Sequence, residues 1–309
     1  MLLQTNSKNA LAPKTKGAEF SAYDYFINSI PNPHTRRAKF NDLKNLRRYL
    51  DSNAFDMLAA TRKDLGLFRE HLTKLNYSIA SIKRHISTIK DFYTYLFDES
   101  IIDVNPSINL KSPRYSYTVG KTEALTSKEL DLLFKSFGKS IKDSRNHLIC
   151  AFMYYTGCRV SALATLTSDD LIFKDETYHI TLKEKFGATN KCISHVYLTN
   201  LIREYLTRNN IVSGHIIRSL VKGKDMLGDR PLCQRNIYDV IKRCCKNAGI
   251  KDIYSPHSFR ASSISNFINN TNDIRRAQLH ANHKSISTTT LYHKHYNRID
   301  QKDLDNLTI

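Results

Sequence analysis

The sequence predicts a mainly α protein with a small antiparallel β-sheet, divided into two domains. Three observations carry this expectation. Apolar residues recur at three- and four-residue intervals along most of the 309 residues. A single stretch, Tyr178 to Leu198, alternates polar and apolar residues about Gly187 instead. Finally, Asn105-Pro106 and the basic run Lys111-Ser112-Pro113-Arg114-Tyr115-Ser116 interrupt the helical pattern about a third of the way along, as a linker would.

Residues 1–19 are polar and Lys-rich, with Pro13 and Gly17, and are expected to be flexible. The first helical stripe is Tyr23, Phe26, Ile27 and Ile30, stopped by Pro31-Asn32-Pro33. Thr35 can cap the next, whose apolar face is Phe40, Leu43, Leu46, Tyr49 and Leu50. Thr61 to Asp64 opens a third helix through Leu65, Phe68 and Leu72. Ser78 precedes a fourth, striped by Ile79, Ile82, Ile86, Ile89, Phe92, Tyr93 and Leu96. Residues 20–110 therefore read as a four-helix domain, 111–122 as a linker and 123–309 as a second domain. In the second domain, Thr126 with Glu129 forms a capping box, and Leu148 to Leu166 is a long apolar helix broken at Gly157. After the hairpin at 178–198, everything beyond Leu201 reads as helix, with loops at Gly214, 222–224 and 228–231.

Lys and Arg number 47 against 29 Asp and Glu, a net charge of +18 with a pI near 9.6. The excess is spread along the chain, so a folded surface suited to a polyanion is expected, and the phosphate backbone is the commonest one. Hydrophobic residues make up 41%, too many for a disordered chain. The cysteines at 150, 158, 192, 233, 244 and 245 include no CxxC pair and no zinc-ligand spacing with His, and the vicinal Cys244-Cys245 falls in a helix-like segment, where buried reduced thiols are expected. The opening Met-Leu-Leu-Gln-Thr-Asn does not read as a signal peptide, and no apolar run approaches membrane-spanning length. The expected location is cytoplasmic.

Chemistry concentrates near the C-terminus. His257 and Arg260 lie three apart, and His283 precedes Tyr292 by nine, inside Ser-Ile-Ser-Thr-Thr-Thr-Leu-Tyr. Arg159 lies upstream in Thr-Gly-Cys-Arg-Val-Ser. Arginine presents a planar fork that matches two phosphate oxygens. A tyrosine hydroxyl can attack phosphorus, provided a base takes its proton or cations stabilise the phenolate. His257 could be that base, with Arg159, Arg260 and His283 supplying positive charge to the five-coordinate phosphorus.

These boxes, TGCRVSAL, HSFRA and ANHKSISTTTLYHK in that order, resemble those of the tyrosine recombinase (phage integrase) family. Tyr77 to Leu96 and Asn105-Pro106 are similar to that family's core-binding domain, so the resemblance covers nearly all of the chain from residue 20. It implies that Arg159 and Arg260 clamp the scissile phosphate, His257 and His283 flank it and Tyr292 attacks it. It also implies a hairpin lysine as general acid: Lys185, two before Gly187, is the choice, Lys183 the fallback, and Lys191 resembles a structural lysine. Ala162, Ala261 and Asn282 depart from the pattern, which has Glu, His and Gly there. Loss of the acid at 162 implies that Arg159 is held another way.

The activity implied is site-specific cleavage and rejoining of DNA through a 3′-phosphotyrosine. Strands would pass between two duplexes through a four-way junction, in integration, excision, inversion or dimer resolution. A clamp on duplex DNA is implied, with Lys83, Arg84, His85, Lys90, Lys111 and Arg114 as contacts and a homotetramer on the DNA. The tail from Ile299 to Ile309 would dock on a neighbour. Neither metal, ATP nor other cofactor is expected. The alternatives are a type IB topoisomerase-like enzyme or a non-enzymatic DNA-binding relative.

Overall fold

A computed structural model describes residues 16–114, 122–184 and 187–292, with side chains from Ala22 onward. The chain divides into two compact units, Met1–Ser116 and Tyr117–Ile309. Both are built mainly of helices, and among the described residues no helix is long and apolar enough to cross a membrane.

The first unit holds four helices: α1 (Lys16–Asn28), α2 (Pro33–Ser52), α3 (Arg62–Lys74) and α4 (Ile79–Asp98). Helix α1 begins inside the segment expected to be flexible, and residues 1–15 lie outside the described residues. The start of α2 also differs from expectation. Asn32, not Thr35, is its cap: its side-chain oxygen accepts from the His34 and Thr35 amides at 3.0 and 3.1 Å. Pro33 sets the first helical φ and lacks the amide that would otherwise need a partner, which puts the start there. Thr61 and Asp64 form a reciprocal capping box on α3, and Ser78 caps α4. The stripes read from sequence meet in one core of Leu43, Leu46, Leu50, Leu65, Phe68, Ile86, Phe92 and Leu96.

The second unit is organised about α6 (Ile141–Thr156), preceded by α5 (Ser127–Lys135) with its Thr126–Glu129 box. Residues 148–153 of α6 are all buried, because α8 (Val196–Arg208), α9 (Gln234–Asn247) and α10 (Pro256–Thr271) surround it. A helix apolar on every side must lie at the centre of its domain. Gly157 ends α6 at φ +59°, and a Cβ there would stand 3.1 Å from Ser263 Oγ and 3.3 Å from His280 Nε2. Glycine is therefore required both by the left-handed backbone and by the space. Helix α7 (Val160–Ala164) follows at once, so the break in the apolar run is a tight reversal between two helices.

The alternating segment forms part of a three-stranded antiparallel sheet, ordered β1 (Leu171–Lys174), β2 (Thr177–Lys183), β3 (Thr189–Ile193). Tyr178, Ile180 and Leu182 turn inward from β2, the two-residue period of a half-buried strand. Strand β1 escaped the sequence pattern because its turn is Asp175-Glu176, both at positive φ, where Asn-Gly is the usual signal. Conversely, Val196 to Leu198 belongs to α8, since the His195 side chain accepts from the Tyr197 amide and caps a helix. A second small sheet, β4 (Arg218–Leu220) with β5 (Leu227–Pro231), occupies the region expected to be helix and loops. Helices α11 (Ile274–Ala281) and α12 (Ile286–Thr290) complete the unit. Cys244 and Cys245 are buried, as are Cys150 and Cys158, and all six thiols are free.

Candidate active site

The reversal at Gly157 positions two arginines. Arg159 stands at the N-cap of α7. Arg260, one turn into α10, is buried, with 4% of its surface exposed. Its Nη1 donates to the Gly157 carbonyl and its Nη2 to the Ala281 carbonyl at 2.6 Å. It is thus tied to the ends of α6 and α11, two helix C-termini whose carbonyls lack intrahelical partners. Among the described residues, no carboxylate forms an ion pair with it. Burial and then the Arg159 charge lower the guanidinium pKa below its ordinary value, while Tyr292 acts in the opposite direction. Arg260, Arg159 and Tyr292 therefore lie close enough to act on one another.

Ser255 caps α10 with Pro256 in the first turn, and His257 lies on the same helix face as Arg260, three residues before it. Its surface is largely exposed, yet desolvation by its neighbours, then the charges of Arg260 and Arg159, lower its pKa. Both cations disfavour a third, which favours the neutral, proton-accepting ring.

Asn282 ends α11 at φ +48°, a conformation in which Asn is the usual second choice to Gly, so this departure from the family pattern keeps the turn. The turn delivers His283, which is buried. Its Nδ1 lies 2.9 Å from Thr289 Oγ1, and Gln278 Nε2 donates to its carbonyl at 2.8 Å. Burial, Arg260 and Arg159 bring its pKa down to about 4. The His283 ring stacks on Tyr292 with centroids 5.8 Å apart and planes 16° from parallel. Tyr292 is half-buried. Its amide donates to Thr289 O at 3.0 Å and its carbonyl accepts from Ser265 Oγ at 3.0 Å, so α12 and α10 both hold it.

Five of the expected catalytic residues, Arg159, His257, Arg260, His283 and Tyr292, thus converge through the reversal after α6, the start of α10 and the chain after α11. Lys185 lies outside the described residues. The fallback, Lys183, ends β2 and is engaged by both oxygens of Asp170, at 3.0 and 3.1 Å. Among the described residues, no three His, Cys, Asp or Glu side chains gather in a way that could hold a metal ion.

One acid was missed. Glu184, just after β2, forms an ion pair with Nη1 of Arg159. It lies 25 residues from its partner in a lysine-rich turn, and no local pattern could connect the two. The supports of His283, Gln278 and Thr289, lie only five and six residues away, but no capping or ligand pattern marks them and they were missed too.

The expected DNA contacts fare unevenly. Lys83 and Arg84 on α4 are exposed, Lys90 is half-buried, and Lys111 and Arg114 are exposed. His85 is a correction. It is 1% exposed, facing Asp42 at 3.2 Å and Asn45 at 3.3 Å inside the first unit. A ring enclosed by its own domain cannot meet a duplex; four residues on from Ser81, whose carbonyl its Nδ1 meets, it belongs to the core face of α4.

The phage integrase family model matches residues 123–298, and the phage integrase N-terminal SAM-like model matches residues 23–100. The chain belongs to the phage integrase family. It is a tyrosine recombinase, an enzyme that breaks and rejoins DNA in site-specific recombination. Tyrosine recombinase XerC of Listeria innocua is 28% identical over 277 residues, 84% of this chain and 86% of that one. The XerH site-specific recombinase bound to palindromic difH substrate, a post-cleavage complex, matches this recombinase's fold. The TM-score is 0.70 at 18% identity, covering 94% of this chain and 88% of that one. A lambda integrase tetramer bound to a Holliday junction matches with TM-score 0.67 at 18% identity, covering 91% and 80%.

Proposed function

We propose that Tyr292 is the nucleophile of this recombinase and that Arg159 and Arg260 hold the scissile phosphate. The observation that carries the assignment is Arg260. A buried guanidinium, held by carbonyl dipoles instead of a carboxylate, keeps its full charge for an incoming anion beside the only tyrosine stacked on His283 among the described residues. The Tyr292 hydroxyl attacks phosphorus while neutral His257 accepts its proton. The two guanidinium groups and the imidazole of His283 meet the charge growing on the non-bridging oxygens. The bond to the 5′ oxygen breaks, Lys185 supplies that oxygen with a proton, and a 3′-phosphotyrosine and a free 5′-hydroxyl remain. Attack by the 5′-hydroxyl of a second duplex reverses each transfer. One phosphodiester is exchanged for another through the tyrosyl ester, so no external energy source enters.

Exchange between two duplexes needs four nucleophiles, which supports a homotetramer on DNA, the assembly that the lambda integrase structure holds on a Holliday junction. The tail 299–309, outside the described residues, is the segment proposed to dock on a neighbour. Lys83, Arg84, Lys90, Lys111 and Arg114 are proposed phosphate contacts, with the +18 charge supplying long-range attraction.

A nicked duplex that loses a short 5′ fragment on cleavage traps the covalent step. The wild-type protein should give an SDS-resistant adduct whose linked peptide contains Tyr292, and Tyr292→Phe should bind the duplex and give none. An adduct retained by Tyr292→Phe would move the nucleophile elsewhere, Tyr296 first. Exchange between two labelled duplexes then separates recombination from topoisomerase-like relaxation of one.

A further inference from the structure

The ion pair between Arg159 and Glu184 belongs to no step described above. Arg159 occupies the N-cap of a five-residue helix and makes no capping bond with its side chain. The residue one turn on, Ala162, is buried and apolar, so α7 has no acid there with which to hold the guanidinium. Glu184 comes from a different element. Its side chain is only 10% exposed, against 36% for Arg159. The carboxylate is thus the anchored partner and the guanidinium the one reaching the open side.

The acid is itself held firmly. Its amide donates to the Ala188 carbonyl at 2.7 Å, closing the turn. The residue before it, Lys183, is tied to Asp170, whose carboxylate also accepts from the Thr167 amide at 2.9 Å and the Thr167 hydroxyl at 2.7 Å. A guanidinium carries five N–H donors in a plane, and an acid at one Nη leaves the Nε–Nη2 edge as a two-donor fork of the kind that matches two phosphate oxygens.

Given the recombinase site proposed above, we infer that Glu184 is a positioning residue. It holds Arg159 by Nη1 and so presents the opposite edge of the guanidinium to the scissile phosphate, without touching the DNA. An arginine left to sample its rotamers would have to be ordered during the reaction, and pinning it beforehand removes that cost from the barrier.

The test uses the full chain and the nicked duplex at saturating concentration, read as single-turnover cleavage. Glu184→Ala should cleave about 10- to 100-fold more slowly, part of what an oriented cation supplies. Glu184→Gln, whose amide oxygen still accepts the bond, should lose only about two- to fivefold, as for a neutral acceptor replacing a charged one. The dissociation constant for DNA and the melting temperature should stay close to wild type, which a merely structural role would not allow. In an Arg159→Ala background, either Glu184 substitution should slow cleavage no further. Losses that add across the two sites, or cleavage faster than wild type, would overturn the inference; the second would make Glu184 an anion that DNA must displace. If Glu184→Ala folds poorly, the Gln variant and its double mutant decide. Mapping the wild-type adduct to Tyr292 keeps the outcomes apart: an adduct elsewhere undoes the site, whereas an adduct at Tyr292 with unaltered Glu184 variants undoes only this role.

Discussion

The two units each enclose charge within a helical interior, and they treat it in opposite ways. In the first, Asp42 is 1% exposed and faces Arg84 at 2.8 Å, His85 at 3.2 Å and the Thr88 hydroxyl at 3.0 Å. Burial raises the Asp42 pKa and outweighs His85, Arg84 and Thr88, which oppose the rise, so the cluster offsets its own charge in part. In the second, Arg260 is buried and, among the described residues, hydrogen-bonds carbonyl oxygens, its positive charge being the one proposed to meet a phosphate. Carbonyl ligation is not sufficient by itself. Arg145 is equally buried, held by the Arg218 carbonyl at 3.1 Å and Asn146 Oδ1 at 2.9 Å, with no nucleophile or second catalytic cation proposed around it. The difference lies in company: Arg260 is surrounded by Arg159, His257, His283 and Tyr292. Buried charge met within its own domain orders a fold, and buried charge gathered beside a proposed nucleophile marks a candidate site.

The sharpest way to break this contrast is to remove one cation from each cluster. Arg260→Ala should slow single-turnover cleavage by roughly two to four orders of magnitude, the scale of losing charge stabilisation at a phosphoryl transition state. Arg84→Met leaves a buried carboxylate short of a partner and should cost about 1–3 kcal/mol in denaturant unfolding. Cleavage by Arg84→Met with DNA saturating should remain near wild type. A reversed pattern, with activity lost at 84 and stability at 260, would dissolve the distinction.

A smaller effect is expected at the backbone that carries the site. Gly157→Ala strains a left-handed residue and presses on Ser263 and His280, so unfolding should become easier by about 1–3 kcal/mol, with cleavage reduced as well. Gly187→Ala, at φ +74° but with nothing among the described residues within 4 Å, carries only the backbone strain and should cost about 1 kcal/mol. Equal losses at the two would mean that the space beside Gly157 is not what matters.

Acid should separate the units. His147, His280 and His283, all in the second unit, have pKa values lowered to about 4 by burial, with Arg260 adding to the effect on the last two. A depressed imidazole binds its proton more readily unfolded, so stability falls as pH drops from about 6.5 toward 4. Glu129 and Asp170, whose hydrogen bonds lower their pKa values, lose their contribution further down. Asp42 in the first unit moves the other way, its raised pKa favouring the folded state as acid is added. Hydrogen exchange followed from pH 7 to pH 4 should therefore show α10 and α11 opening before α4. First opening in α4 would contradict this.

The smallest effect concerns Asn282. Glycine there relieves a left-handed Asn while loosening the unfolded chain, and the two tendencies nearly cancel. Asn282→Gly should shift unfolding by less than about 1 kcal/mol and leave cleavage unchanged.

The helices were legible because their signals are local. The Thr61–Asp64 and Thr126–Glu129 boxes, the Ser78 cap and the stripe of α4 are settled within four residues of themselves. Strands β1, β4 and β5 were not, since a strand is specified by a partner elsewhere in the chain; the β1 turn lacks the usual Asn-Gly, and the Gly223 turn between β4 and β5 reads equally as a loop. The same division runs through the site. The residue types and their order, with Arg159, His257, Arg260, His283 and Tyr292 in three boxes, were present in the sequence as chemistry awaiting a geometry. Only the folded chain could decide that the Gly157 and Ala281 carbonyls hold Arg260, that Glu184 holds Arg159, and that His85 lies inside, away from the surface. Side-chain chemistry is a property of each residue, whereas the partner that fixes its charge and direction is chosen by packing across 25, 103 or 40 residues of intervening chain.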